Sequence, residues 1–304
     1  MRIGIMVGAS EGAGGTLDAL ATRARSLEAR GFHSLWMAHI FGLDAITALA
    51  VVGRETQKIE LGTAVVPTYP RHPVAMAQQA SSAGAAARGR FTLGIGLSHK
   101  LVIEDMLGLS YAKPARHMRE YLEVLTPLLR GEPAQHEGER YRVRGVQLQV
   151  PGAERVPLLV AALGPAMLRL AGSYADGTIT WVTGPRTLAE HIGPRLREAA
   201  KQAGRSEPRV VAGLPIALTR DPDGARQFVA RQLVVYGRLP SYRAMLDREG
   251  AEGPADVAIV GDEKALEEGL ARLRDAGVTD FDAALVPVED GAEARTLDFL
   301  ASRL

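Results

Sequence analysis

The sequence predicts an α/β fold, a (β/α)8 TIM barrel with insertions, and three observations predict it. Short β-type runs alternate with longer helical patterns along nearly the whole chain. Many of the short runs are almost continuously apolar, as expected of parallel strands covered on both faces. Eight such runs, seven intervening helical regions and a closing helix over 290–303 fit a closed barrel better than a doubly wound sheet.

The elements follow in order. Strands are expected at 2–7, 34–38, 59–66, 91–96, 157–163, 177–182, 209–218 and 281–287. Leu17, Leu20, Ala24 and Leu27 repeat at helical spacing, with Thr16 as N-cap. Asp44 caps a helix over 45–55, and Pro73, Pro165 and Pro222 stand where a first helical residue belongs. Three connections are too long for plain turns: 97–114, 139–150 and 236–261. Within 139–150 the alternation of Tyr141 and Val143, then Val146, Leu148 and Val150, predicts a hairpin. No linker or repeat divides the chain, so residues 1–304 read as one domain with inserted loops.

Composition narrows the function. Lys plus Arg number 36 against 35 Asp plus Glu, a balance that gives no reason to expect nucleic acid or a membrane as partner. Cysteine is absent, which excludes disulfides, Cys-ligated zinc and thiol nucleophiles. No apolar run approaches the ~18 residues a membrane span needs, and residues 3–7 are too short for a signal-peptide core. A cytoplasmic enzyme acting on a small molecule is expected.

The stretch Gly8-Ala9-Ser10-Glu11-Gly12-Ala13-Gly14 invites a dinucleotide-loop reading. The short-chain dehydrogenase chemistry that goes with it needs a Tyr-x-x-x-Lys pair, and none of the seven tyrosines has Lys four residues later. The second strand also ends at Ala38 with His39 following, and offers no carboxylate for ribose hydroxyls. The glycines then read as the first strand-to-helix turn of a barrel.

A barrel places its chemistry at the C-terminal ends of the strands. Those ends supply Ala38-His39, Thr63-Ala64-Val65, Gly96-Leu97-Ser98-His99, Leu163-Gly164-Pro165 and Trp181-Val182-Thr183-Gly184. They lack the His-x-His and acid pattern of a metal hydrolase, so no metal is expected, and they lack the paired carboxylates of a glycosidase. Small, apolar and hydroxyl residues suit a flat organic cofactor. A helix opening at Gly164-Pro165 would point free N–H groups and its positive dipole end at a phosphate, and Thr183-Gly184-Pro185 repeats the arrangement. Arg140, Arg142 and Arg144 read as a solvated hairpin face, with contact to an anionic cofactor tail as the alternative.

An ordered set of segments then carries a resemblance over essentially the whole chain. It comprises A-x-x-L-E-x-R-G-F-x-S-L-W at 24–36, LGTAVVP at 61–67, RHPVAMAQQA at 71–80, GRFTLGIG at 89–96, MREYLEVLTPLLRGE at 118–132 and ADGTITW at 175–181. The chain resembles the luciferase-like monooxygenase superfamily, in particular its branch using the deazaflavin coenzyme F420. The resemblance implies a bacterial luciferase-type barrel, hydride transfer between F420 and an organic substrate, and a homodimer. It implies a non-proline cis peptide at Ala64-Val65 against the deazaflavin ring. It places the phosphate at Leu163, Gly164, Pro165 and Thr183, and makes His39 the protic catalytic residue. Thr63, Gly96, Leu97, Ser98 and His99 complete the expected cofactor contacts. Relatives often carry an acid where Ala38 stands, and some a Glu where Leu97 stands; Ser98 or His99 is then the expected polar contact. An FMN-dependent monooxygenase on the same barrel, and a cofactor-binding protein with little turnover, are the alternatives.

Overall fold

The computed structural model describes residues 1–8 and 15–304; the remainder of the opening glycine motif, residues 9–14, lies outside the described residues. The elements run β1 (Arg2–Val7), α1 (Leu17–Ala29), β2 (Ser34–Met37), α2 (Ala45–Glu55), β3 (Glu60–Thr63), β4 (Val66–Pro67), α3 (Pro73–Ala86) and β5 (Phe91–Gly96). After a short π-helical turn (Leu101–Met106) come α4 (Pro114–Leu129), β6 (Ala134–Glu137), β7 (Arg142–Val146), β8 (Leu158–Ala161), α5 (Pro165–Tyr174) and β9 (Gly177–Trp181). The chain closes with α6 (Pro185–Thr187), a π-helical turn (Leu188–Ile192), α7 (Gly193–Gln202), β10 (Arg209–Leu218), α8 (Pro222–Gln232), α9 (Pro240–Glu249), β11 (Ile259–Gly261), α10 (Glu263–Asp275), β12 (Asp280–Leu285) and α11 (Ala292–Ala301).

All eight expected strands form, and their order β1-β2-β3-β5-β8-β9-β10-β12 returns to β1 through parallel pairs. The ring is therefore a closed (β/α)8 barrel. The Thr16 and Asp44 caps hold, each side chain accepting from the N–H three residues on, and Pro73, Pro165 and Pro222 open their helices.

Trp36 lies across the barrel interior with Leu159, Ile179 and Val211. A Cβ at Gly62 would overlap the Trp36 ring, so only glycine fits on the neighbouring strand. At the N-terminal end a charged plug closes the barrel. Arg209 reaches Glu60 at 2.8 Å and Asp280 at 2.7 Å, while Arg2 adds a 2.6 Å contact to Glu60. Burial works against the charge on Glu60, but Arg209 and Arg2 outweigh it and hold the carboxyl below its usual range.

Several boundaries differ from expectation. The strand expected over 59–66 is broken: β3 pairs with β5 at Leu61 and Gly62, and pairing resumes only at Val66 and Pro67. The hairpin lies at β6–β7 rather than at 139–150, because its first strand is too polar (AQHE) to show in the apolar alternation. Segment 97–114 contains the π-helical turn. Segment 236–261 is mostly regular, holding α9, a 3-10 turn over Pro254–Val257 and β11, a short strand that extends the sheet beside β10. Leu246 packs in the core, but the short amphipathic helix around it was masked by flanking Gly and Pro.

Candidate active site

The break between β3 and β5 is the first feature of the barrel mouth. Thr63, Ala64 and Val65 bulge out of the ladder, and the Ala64–Val65 peptide is cis. A bulge leaves partner backbone groups without ladder bonds. Here the buried Thr63 hydroxyl replaces both: it accepts from Gly94 N–H and donates to Gly94 C=O, each at 2.8 Å. A Cβ at Gly94 would overlap the Thr63 carbonyl, and one at Gly96 would meet Val65 Cγ2 at 2.7 Å. The glycines of GRFTLGIG thus make room for the bulge. Ala64 and Val65 remain half-buried, packed from below by the cluster around Trp36.

His39 leaves the adjacent strand at the same level, since Met37 pairs with Thr63 and its carbonyl accepts from Ala64 N–H at 2.8 Å. Its side chain is 14% exposed. Nδ1 accepts the N–H of Ala45, the first residue of α2, at 3.2 Å. Burial pushes the imidazole pKa down, and Arg71 adds to this against the opposing effect of Asp44. The ring is neutral at pH 7. Arg71 Nη1, itself a donor, lies 3.5 Å from Nε2, but the Ala45 N–H at Nδ1 is the closer contact. Nδ1 is therefore the acceptor, the proton sits on Nε2 and Arg71 makes no hydrogen bond to the ring. Asp44 does not serve as its orienting acid: its carboxylate caps Thr47 N–H and pairs with Arg71, and lies 3.7 Å from Nδ1.

Across the barrel, Gly164 is the extended N-cap of α5, with no side chain capping it, and an added Cβ there would meet nothing within 4 Å. Among the described residues no side chain caps the first N–H groups of this ten-residue helix. Leu163 turns its side chain to the main core and presents its carbonyl to His191 Nε2 at 2.8 Å. His191, unremarked in the sequence because nothing local marks it, thereby anchors the corner before Gly164.

The second anion site expected at Thr183-Gly184-Pro185 is not available. Glu249 already accepts from Arg186 N–H at 3.1 Å and Thr187 N–H at 2.7 Å, so the start of the helical run that continues through the π-helical turn into α7 is already capped. A carboxylate brought in from α9 does what the sequence reading gave to a ligand. Thr183 is buried, its hydroxyl donating to Trp181 C=O at 3.2 Å.

The remaining expected residues follow β5. Leu97 packs on the main core, and Ser98 takes a left-handed conformation (φ 58°) with its carbonyl accepting from the Tyr111 hydroxyl at 3.2 Å. His99 meets Tyr236 and Tyr242 edge-on, each at 5.9 Å. Arg142 and Arg144 are exposed and pair with Glu137, whereas Arg140 turns back to the Ala112 carbonyl. The structure thus brings His39, the Thr63–Val65 bulge, Gly96, Ser98 and His99 around one mouth, with Gly164 and Pro165 at the ends of strands beyond β5.

These features fit the flat cofactor expected from the sequence: a half-buried apolar bulge for a ring, a neutral donor beside it and an open helix N-terminus for a phosphate. Comparison with known proteins agrees. The chain is 30% identical over 268 residues to the F420-dependent glucose-6-phosphate dehydrogenase of Nakamurella multipartita, covering 83% of this chain and 77% of that protein. It is 28% identical over 244 residues to the 5,10-methylenetetrahydromethanopterin reductase of Methanolobus tindarius, covering 80% and 74%. The solved coenzyme F420-dependent tetrahydromethanopterin reductase of Methanopyrus kandleri superposes with a TM-score of 0.81 over 100% of this chain and 98% of that one; at 22% identity this shows the common fold. The luciferase-like monooxygenase family model matches residues 1–289, and with the barrel, its broken third strand and these relatives in agreement, the chain belongs to that family.

Proposed function

We propose that this chain is an oxidoreductase that transfers a hydride between coenzyme F420 and a small organic substrate. The observation that carries the reading is the neutral His39 beside the apolar bulge, with its proton on Nε2. The F420 dependence of named relatives supports the choice of cofactor. When bound, the deazaflavin supplies or accepts the hydride.

The protein's own residues do the rest. Ala64, Val65 and Gly96 offer an apolar shelf for the ring, and the Gly164–Pro165 helix start offers N–H groups and a dipole to the phosphate. His39 Nε2–H donates to the substrate oxygen on which negative charge grows as its carbon receives hydride. Because Nδ1 is held by Ala45 N–H, the ring is oriented with Nε2 as the nitrogen that meets the substrate oxygen. A homodimer, from the family resemblance, and a cytoplasmic location, from the composition, belong to the same proposal; sedimentation as a monomer at micromolar concentration would overturn the former.

Titration of the purified protein with F420 and with FMN, followed by fluorescence, tests the cofactor. Tight FMN binding with no response to F420 would reverse the assignment. His39→Ala is expected to slow hydride transfer about 10²–10⁴-fold while leaving F420 affinity within a few-fold. An unchanged transfer rate would remove His39 from the chemistry.

A further inference from the structure

Two of the long connections, 97–114 and 236–261, meet through His99, Tyr236 and Tyr242. Tyr236, between α8 and α9, packs against Trp181 at the end of β9 (6.3 Å between ring centres) and against Tyr242 (4.9 Å). Both tyrosines meet His99. Four rings from three distant parts of the chain thus form one half-buried aromatic wall beside the expected cofactor shelf.

This wall is electrically neutral. Burial alone lowers the His99 pKa and raises those of Tyr111 and Tyr236, and for Tyr242 only the neighbouring tyrosines add to burial. Among the described residues no Lys, Arg, Asp or Glu perturbs these groups. Of the cations near the wall, Arg71 pairs with Asp44 and Lys100 with Glu104, and the exposed Arg238 is not among the causes that shift the Tyr236 hydroxyl.

The rim continues the same character outward. Ile40 and Phe41 after β2, Leu101 and Met106 after β5, and Val234 and Val235 beside Tyr236 are exposed, Phe41 by 66%. Large apolar side chains held in water on three loops around one mouth mark a binding surface. Leu101 stands two residues from His99, and Val234 and Val235 directly precede Tyr236, so these side chains carry the apolar character outward from the wall.

We propose that the substrate is an uncharged, largely apolar molecule bearing a flat ring, held against His99, Trp181, Tyr236 and Tyr242. A phosphorylated or carboxylated substrate would lose its hydration against this wall without gaining a partner. Flat apolar molecules gain both area burial and ring contact there. The proposal deepens the function given above and rests on its placement of the active site at this mouth.

Isothermal titration with acetophenone, 2-acetonaphthone and glucose 6-phosphate, with and without F420, tests it by binding and not by turnover. The unmodified protein is expected to bind 2-acetonaphthone about fivefold more tightly than acetophenone, and glucose 6-phosphate not measurably. Tyr236→Ala and Tyr242→Ala are each expected to weaken 2-acetonaphthone about tenfold, and Tyr236→Phe to restore it to within threefold. Tighter binding of glucose 6-phosphate than of either ketone overturns the proposal, as does a Tyr236→Ala variant that melts normally and binds 2-acetonaphthone unchanged. Ketone binding that needs Tyr236 in a protein that ignores F420 upholds the pocket and overturns the cofactor assignment instead.

Discussion

Thr63→Val isolates the bulge at the barrel mouth. Valine keeps the shape of threonine and deletes one hydroxyl, which in the native protein serves both the N–H and the C=O of Gly94 at 2.8 Å. Thr63 is fully buried, so water cannot replace the lost partner. Each buried group left without one costs about 1–3 kcal/mol, and the extra methyl recovers part of it, giving a destabilisation of about 2–5 kcal/mol. With an unfolding entropy of about 2.1 cal/mol/K per residue, a chain of 304 residues loses about 3–8 °C in melting temperature. Thermal and urea unfolding followed by circular dichroism read this directly. Thr63→Ser keeps the hydroxyl and is expected to lose less than half as much. F420 affinity should fall in Thr63→Val, since the bulge is then free to drop its register against β5. A Thr63→Val protein within about 0.5 kcal/mol of the parent, with Thr63→Ser no better, would refute the claim that the hydroxyl replaces the missing ladder bonds.

Two further perturbations probe the barrel interior. Arg209→Met leaves Glu60 and Asp280 short of their main partner; Arg2 retains part of the attraction, so the expected loss is about 3 kcal/mol at pH 8. Because the Glu60 pKa is lowered in the folded state, its stabilisation is present above the unfolded value of 4.5 and vanishes as pH falls through the folded one. The gap between variant and parent should therefore shrink as pH falls below 4.5 in urea titrations, and a gap independent of pH would refute the charge argument. Asp282 is the opposite case. It is wholly buried between Gly4 of β1 and Gly213 of β10, with no partner for either oxygen among the described residues, and burial together with Asp280 raises its pKa well above the usual carboxylate range. The folded state holds a proton that the unfolded chain releases above about pH 4, so stability is lost as pH rises from there. Asp282→Asn is expected to raise the melting temperature at pH 8 and change it little at pH 4; equal shifts at both would refute a protonated Asp282.

Local pattern carried the barrel because each strand and helix announces itself within a few residues. Near-continuous apolar runs, the Asp44 and Thr16 caps and the proline helix starts all act over one turn or one strand. What failed locally was either short or polar. The β6 strand AQHE has no alternation, and β11 is three residues long. The site divides the same way. His39, the 63–65 segment, Gly96 and the Gly164 helix start were legible because strand ends are legible. Arg71, which helps keep His39 neutral, and His191, which anchors Leu163, were not, for both act across more than 25 residues of sequence.

The sequence by itself determined where the strands end, and therefore which residues ring the mouth of the barrel. Only the tertiary structure decided what each of them is free to do. Backbone N–H and C=O groups exposed by one element are claimed by side chains from another, and that competition has no local signature. Thus Ala45 N–H sets the His39 tautomer, and Glu249 takes the helix start that Thr183-Gly184-Pro185 offered to a phosphate. The aromatic wall is the same lesson in apolar form, since His99, Trp181, Tyr236 and Tyr242 become neighbours only when the barrel closes.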